Sequence, residues 1–327
     1  MAVIPEKLKQ GDEVRVVSPA TSLAFIPEDQ RQTAEERLTG LGLEVTYSRN
    51  GEILDRFDSA PAEARVADLH EAFREPSVKG MLTTLGGYNS NQLLRHLDYD
   101  LIRENPKVLC GFSDITALAT AIHARTGLVT YSGPHFSTFG MRRGIEYTLE
   151  HFERCLTRGE PYEVEAADHW SDDAWYADQE DRDFVPNPGY RIIHEGEAEG
   201  KLLGGHLGTL LLLCGTSYMP ELGGSILLLE CDEETQPYHF DRELQSLAHQ
   251  PGFEDVKGII LGRFQRASGM DADTLAAIVR CKPELAGIPI VADASFGHTT
   301  PQFTFPIGGS GRLETTDGTV RFVIEEH

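Results

Sequence analysis

Positive charge is what this chain has least of. Lysine and arginine total 29 against 52 aspartates and glutamates, a net charge of −23 at pH 7. Such a surface repels phosphate backbones, so a nucleic-acid polymer is not an expected partner. The plain role of the excess acid is solubility. The five cysteines, Cys110, Cys155, Cys214, Cys231 and Cys281, are odd in number and scattered, with no C-x-x-C pair. That spacing argues against a disulfide framework and a zinc site, and no metal is expected. No apolar run approaches the ~20 residues of a membrane span. The opening MAVIPEKLKQGDE lacks the apolar stretch of a signal peptide. A cytoplasmic location, off the membrane, is the expectation. The G-x-G-x-x-G fingerprint of dinucleotide sites is missing too. No cofactor is expected, although an enzyme using a nucleotide cofactor on the N-terminal sheet stands as a rival.

What is present suits a two-domain α/β protein. The 327 residues are 40% hydrophobic, and at ~100–200 residues per domain the length suggests about two domains. In the first half, strand-like segments at 13–18, 43–47, 78–85 and 108–112 alternate with helical spacing at 28–41, 61–74 and 114–126, and 91–96 begins a further helix. This order predicts a parallel, Rossmann-like sheet covered by helices, with its site at the carboxyl ends of strands. Residues 159–200 hold many acids, several prolines and both tryptophans, Trp170 and Trp175, with little apolar periodicity. They read as a connection with a long loop at 168–188. Apolar strands resume at 225–230, 256–264 and 288–292, and 312–325 reads as a hairpin about Asp317-Gly318. The expected division is an N-terminal α/β domain at 1–158, the connection at 159–200, and a β-rich C-terminal α/β domain at 201–327.

Four strand ends carry chemistry. In VLCGFSDIT (108–116) a strand runs into Ser113 and a helix follows at once, the context of a nucleophile elbow. The helix N-terminus offers free N–H groups to a developing oxyanion, that of Asp114 first. The alternative is that Ser113 or Asp114 caps the helix, and the second glycine of the usual elbow is absent. In TTLGGYNSN (83–91) a strand ends in two glycines, and Gly87 N–H is a candidate second oxyanion donor; a simple tight turn is the alternative. A serine needs a base, commonly an imidazole oriented by a carboxylate. Among twelve histidines, His298 stands out at a strand end after Gly297, with His135 second. Glu230 closes the apolar strand SILLLE, where an unpaired carboxylate would be costly to bury; an exposed strand end is the alternative. Serine, carboxylate and histidine thus fall in the chain order of α/β-hydrolases.

At these residues the sequence resembles the serine LD-carboxypeptidase family. PKVLCGFSDITAL (106–118) is similar to its nucleophile segment, with Phe112 for the usual tyrosine. GGYNSNQLL (86–94) resembles its oxyanion loop, and GKLLGGHL (200–207) another family segment, with His206 for the usual asparagine. ILLLE (226–230) and FGHTTP (296–301) resemble the segments carrying its glutamate and histidine. The resemblance implies a serine carboxypeptidase or amidase with a Ser113–Glu230–His298 triad, its active site between an N-terminal domain that supplies Ser113 and a C-terminal domain that supplies Glu230 and His298, built as a homodimer. It implies two substrate classes: murein peptides, or a peptide or amino acid joined by an amide to a nucleotide. The loop with Trp170, Trp175 and NPGY (187–190) looks more like the second branch, resembling the microcin C immunity proteins. That implies stacking of Trp175 or Trp170 on a base, with Asn89 also at the substrate. The alternatives are that both tryptophans pin the loop to its own domain, and that the whole chain binds such a ligand without cleaving it.

Overall fold

The computed structural model describes residues 2–327. Strands β1 (Glu13–Val17), β2 (Glu44–Tyr47), β3 (Val78–Thr83), β4 (Val108–Cys110) and β5 (Thr130–Ser132) form a parallel sheet in the order β2-β1-β3-β4-β5. Helices α1 (Glu28–Gly40), α2 (Ala62–Arg74), α3 (Tyr99–Glu104) and α4 (Ile115–Thr126) connect them. The helix expected from residue 91 is a single 3₁₀ turn, Ser90–Leu93. Helix α4 explains why the larger of the two apolar cores runs through both halves of the molecule. Its residues 115–123 are all buried, as ITALATAIH, with no charged side chain before His123, requires. Burial of side chains such as Leu118 or Ile122 is worth about 1.5–3 kcal/mol each. One end of α4 therefore fixes Ser113, while its flank packs against the C-terminal half.

After α5 (Glu146–Thr157) come β6 (Tyr162–Glu163), a small hairpin of β7 (His169–Trp170) and β8 (Val185–Pro186), then β9 (Arg191–His194) and β10 (Gly196–His206). The remaining elements are α6 (Leu207–Leu211), β11 (Ser225–Glu230), α7 (Pro237–Ala248), β12 (Gly258–Gly262), α8 (Ala272–Arg280), β13 (Ile290–Ala294), β14 (Phe305–Ile307), β15 (Ser310–Thr316) and β16 (Thr319–Glu326). Eight of these strands form the second sheet, in the order β6-β16-β15-β10-β11-β12-β13-β9. Its centre, β10 to β13, is parallel. All six residues of β11 are buried, as expected for an unbroken apolar run covered on both faces. The hairpin of β15 and β16 turns at Asp317 and Gly318, both at positive φ (52° and 75°), which suits a primed turn.

Two segments cross the expected boundaries. Strand β14 pairs antiparallel with β5 and so completes the N-terminal sheet, although 201–327 was expected to form the other domain. Strands β6, β9 and the start of β10, expected in the connection, belong to the C-terminal sheet. The crossing by β14 follows directly after residues 298–301, so the His298 segment is anchored in both sheets.

Candidate active site

The carboxyl ends of β3, β4, β11 and β13 converge on one cleft of about 470 Å³. Ser113 sits between β4 and α4 at φ 60°, a left-handed conformation uncommon for a residue with a side chain. Such strain is sustained only when the surroundings impose it. Gly86 leaves room for it: a Cβ built there would lie 2.9 Å from both Cβ and Oγ of Ser113. The two strand-end loops touch because one of them has no side chain at that point.

Neither Ser113 nor Asp114 makes a side-chain cap on α4. The Asp114 carboxylate instead accepts the N–H groups of Asn89 (3.1 Å) and Ser90 (2.8 Å), and the Ser90 hydroxyl donates to the Asp114 carbonyl. Burial pushes this carboxyl above its ordinary value, and the bonds to Ser90 and Asn89 oppose the shift. Asp114 thus clamps the glycine loop onto the serine turn. The backbone N–H groups of Gly87 and Asp114 engage no acceptor among the described residues, and Gly87 lines the cleft.

His298 bridges the two sheets. Its Nε2 accepts the Ser113 hydroxyl at 3.0 Å, and its Nδ1–H donates to Glu230 Oε2 at 2.7 Å. Glu230 is only 3% exposed. Burial alone would raise its carboxyl; the charge and hydrogen bond of His298, with His206 adding, outweigh it and hold it below the ordinary value. Space for the pair comes from Gly297, at φ 93°, where an added Cβ would lie 2.5 Å from Glu230 Oε2. A hydroxyl, an imidazole and a buried carboxylate in one hydrogen-bonded line can make an oxygen nucleophile, with the carboxylate fixing the tautomer of the ring.

His135 takes a different place. Its ring stacks on Phe112 at 4.4 Å, and its Nδ1 is 2.7 Å from Thr83 Oγ1. Burial, with the charge of His298 adding, pushes it down to about 3, so the ring is neutral. Phe112 also meets His298 edge-on at 5.2 Å, so the residue before the serine props the imidazole. His206 lies behind the site. Its Nδ1 accepts Thr209 N–H at the start of α6, its Nε2 is 3.4 Å from Asp232, and its ring is 5.5 Å from that of His298.

The expected substrate contacts fare unequally. Trp175 lines the cleft beside Tyr176. Trp170 does not: Arg263 and Arg266 lie over its ring at 4.8 and 5.5 Å, pinning it to the C-terminal half. Asn89 also lies outside the cleft lining, because its Oδ1 accepts the buried Arg65 guanidinium at 2.8 Å. Arg65 was missed from the sequence. It sits in a helix that looks ordinary and amphipathic, and its acceptors are Pro19, Asn89 and Gln92. The long loop is tied to the histidine segment by paired backbone bonds between Ser171 and Thr300, 2.7 and 2.8 Å.

Fold and cleft together define a hydrolase of the peptidase type. Residues 14–133 match the LD-carboxypeptidase N-terminal domain and residues 199–313 its C-terminal domain, so this chain belongs to the LD-carboxypeptidase family. It is 53% identical over 321 residues to a provisionally named carboxypeptidase, YocD, of Bacillus subtilis (strain 168), covering 98% of this chain and 99% of that one. It is 30% identical over 317 residues to the microcin C7 self-immunity protein MccF of Escherichia coli, covering 92% and 90%. Among solved structures, an MccF-like protein from Bacillus anthracis (strain Ames) superposes with a TM-score of 0.98 at 55% identity, with all of both chains covered. MccF in complex with aspartyl sulfamoyl adenosine superposes with a TM-score of 0.89 at 28% identity, covering 99% of each. No helix among the described residues is long and apolar enough to cross a membrane.

Proposed function

We propose that the chain is a serine amidase that cleaves the amide joining an amino acid or short peptide to a nucleotide-like leaving group. The observation that carries this is the hydrogen-bonded line from Ser113 through His298 to the buried Glu230, with the serine strained outward at φ 60°. His298 Nε2 takes the Ser113 proton as Oγ attacks the carbonyl, and Glu230 holds the ring and stabilises its charged form. The free N–H groups of Gly87 and Asp114 receive the oxyanion. His298 then gives the proton to the leaving amine, and water, activated by the same ring, frees the acyl group from Ser113. The nucleotide branch is favoured by Trp175, an indole on the cleft wall suited to stacking on a flat base, and by relatives whose solved complexes hold aminoacyl sulfamoyl nucleosides. A cytoplasmic homodimer completes the proposal on family resemblance, and light scattering with cell fractionation tests that part.

The decisive experiment is turnover of an aminoacyl sulfamoyl adenosine against a murein tetrapeptide, followed by mass spectrometry, with wild type and Ser113→Ala. Cleavage of the first substrate, lost in the variant along with labelling by a fluorophosphonate, supports the assignment. Normal turnover by Ser113→Ala overturns the mechanism. Cleavage of the tetrapeptide alone moves the protein to the other branch, and binding without cleavage makes it a silent member.

A further inference from the structure

A buried guanidinium holds the glycine loop, and the triad chemistry gives it no part. Arg65, on α2, is 3% exposed and does not line the cleft. Its guanidinium donates to four uncharged acceptors: the Pro19 carbonyl (2.8 Å), the Asn89 carbonyl (3.2 Å), Asn89 Oδ1 (2.8 Å) and Gln92 Oε1 (2.8 Å). Its Nε has no partner. A full charge buried against neutral acceptors is costly, and burial lowers the pKa of this group. The charge that most opposes that shift is Asp114, whose own bonds go to the N–H groups of Asn89 and Ser90.

Residue 89 therefore presents its carbonyl to a cation and its N–H to an anion. Turning this segment would break charge-assisted bonds on both sides. The same guanidinium joins two strand-end loops, since Pro19 follows β1 and Asn89 follows β3. Between these anchors Gly86 and Gly87 have little slack. The Gly86 carbonyl accepts Thr21 N–H at 3.1 Å, two residues past Pro19. A Cβ on Gly87 would lie 2.8 Å from Thr21 Oγ1, and one on Gly86 2.9 Å from Ser113 Oγ. The glycines are wedged between the 19–21 segment and the serine turn. Gly87 is two residues from Asn89, so whatever fixes Pro19 and Asn89 also fixes the direction of Gly87 N–H.

Resting on the amidase function proposed above, we infer that Arg65 is a positioning residue for the oxyanion hole. It acts from outside the cleft, through Pro19 and Asn89, to hold Gly87 N–H where the oxyanion forms. Arginine suits this place because its planar fork serves acceptors on two loops at once, a geometry that a lysine ammonium does not match.

The test compares full-length wild type, Arg65→Ala and Arg65→Lys, using an aminoacyl sulfamoyl adenosine and a fluorophosphonate. Arg65→Ala should lower kcat and the rate of labelling about 10²-fold, with KM little changed and labelling still complete at its end point. Guanidinium chloride, well below denaturing concentration, should restore part of the loss, and sodium chloride at equal concentration none. The downfield proton of the His298–Glu230 bond should keep its wild-type shift, which shows that the triad is not what moved. Arg65→Lys, which keeps the charge without the fork, should lose less than Arg65→Ala. If Arg65→Ala does not fold, Arg65→Lys decides, by a labelling rate below wild type with a complete end point. Wild-type rates in the folded variants overturn the inference. So does a loss that guanidinium leaves untouched, or one accompanied by incomplete labelling, a raised KM or a shifted His298 proton, the marks of general disturbance. Labelling does not depend on the leaving group. Wild type that labels without cleaving the conjugate therefore refutes the nucleotide branch alone, and the labelling rates still decide Arg65. Wild type that neither labels nor cleaves refutes both.

Discussion

The two walls of the cleft are built on different principles. The wall bearing Ser113, Gly86 and Asp114 is held by backbone: a strained serine, a glycine in contact with it, and a buried carboxylate that clamps the neighbouring loop. The wall bearing Trp175 and Tyr176 is rooted by the Ser171–Thr300 backbone bonds and the buried Arg182–Asp173 pair, and its outer part is held by exposed ion pairs such as Arg142 and Arg143 with Glu180. Backbone locks fix a reacting atom to a fraction of an ångström, which chemistry requires. Exposed ion pairs are worth about 0–1 kcal/mol each, which suits a surface that adapts to what it recognises. Substitutions on the first wall should therefore act mainly on kcat, and those on the second mainly on KM.

The largest effect is expected at the carboxylate between the sheets. Glu230→Gln keeps the shape and removes the charge, so the imidazole loses its partner for the ionised state. A fall in kcat of about 10³–10⁴ is expected, by the precedent of triads deprived of their carboxylate, and steady-state kinetics on the sulfamoyl conjugate checks it. The same group contributes to stability. Its folded pKa is lowered, so its contribution is fully present above the ordinary carboxylate value and is lost as pH falls through the lowered one. Wild type should lose more Tm than Glu230→Gln on acidification below about pH 4.5, the range where unfolded carboxylates take up protons. A parallel decline in the two proteins would contradict the pairing. Next in size is Gly297→Ala. Its Cβ would lie 2.5 Å from Glu230 Oε2, at a backbone angle that disfavours any side chain. About a 10²-fold loss of kcat, from an imidazole displaced by about an ångström, is expected; an active enzyme with unchanged kcat would show that the pair tolerates movement.

How much of this was legible beforehand follows the same division. Ser113, Glu230 and His298 could be picked out as candidates because each closes or follows an apolar strand, and a polar residue at such a place is conspicuous. The boundaries of β11 and of the β15–β16 turn were equally plain, one from an unbroken run of leucines, the other from Asp317-Gly318. Asn89 was misplaced because its partner Arg65 lies 24 positions away, and no local pattern links a helix surface to the far side of a loop. The sequence offered Asp114 as an oxyanion donor through its N–H, with a helix cap as the alternative; the acceptor role of its carboxylate was hidden because it depends on a loop from another strand. Strand β14 escaped notice because three residues, FPI, carry no periodicity of their own. Trp170 and Trp175 sit in one irregular loop with nothing in the pattern to separate them. What parts them is Arg263 and Arg266, from a different strand end.

On the recognition wall the effects shrink. Trp175→Ala should raise KM for a nucleotide conjugate about tenfold, as loss of one base-stacking side chain costs about 1–3 kcal/mol, while kcat holds. Equal loss with a conjugate lacking the base would show that the indole only braces the loop.

The smallest effect, and the finest separation of the two walls, is expected from Arg266→Ala. Arg266 is half-exposed, pairs with Asp172 and Asp183, and shares the face of Trp170 with Arg263. Its removal leaves Arg263 on the indole and the Ser171–Thr300 backbone bonds in place, so the loop keeps its root and loses one strap. About a two- to threefold rise in KM is expected, in keeping with an exposed pair worth under about 1 kcal/mol, with kcat and the rate of fluorophosphonate labelling unchanged. A fall in kcat or in labelling would mean instead that the loop reaches the His298 segment through Thr300, and that the two walls are not mechanically separate.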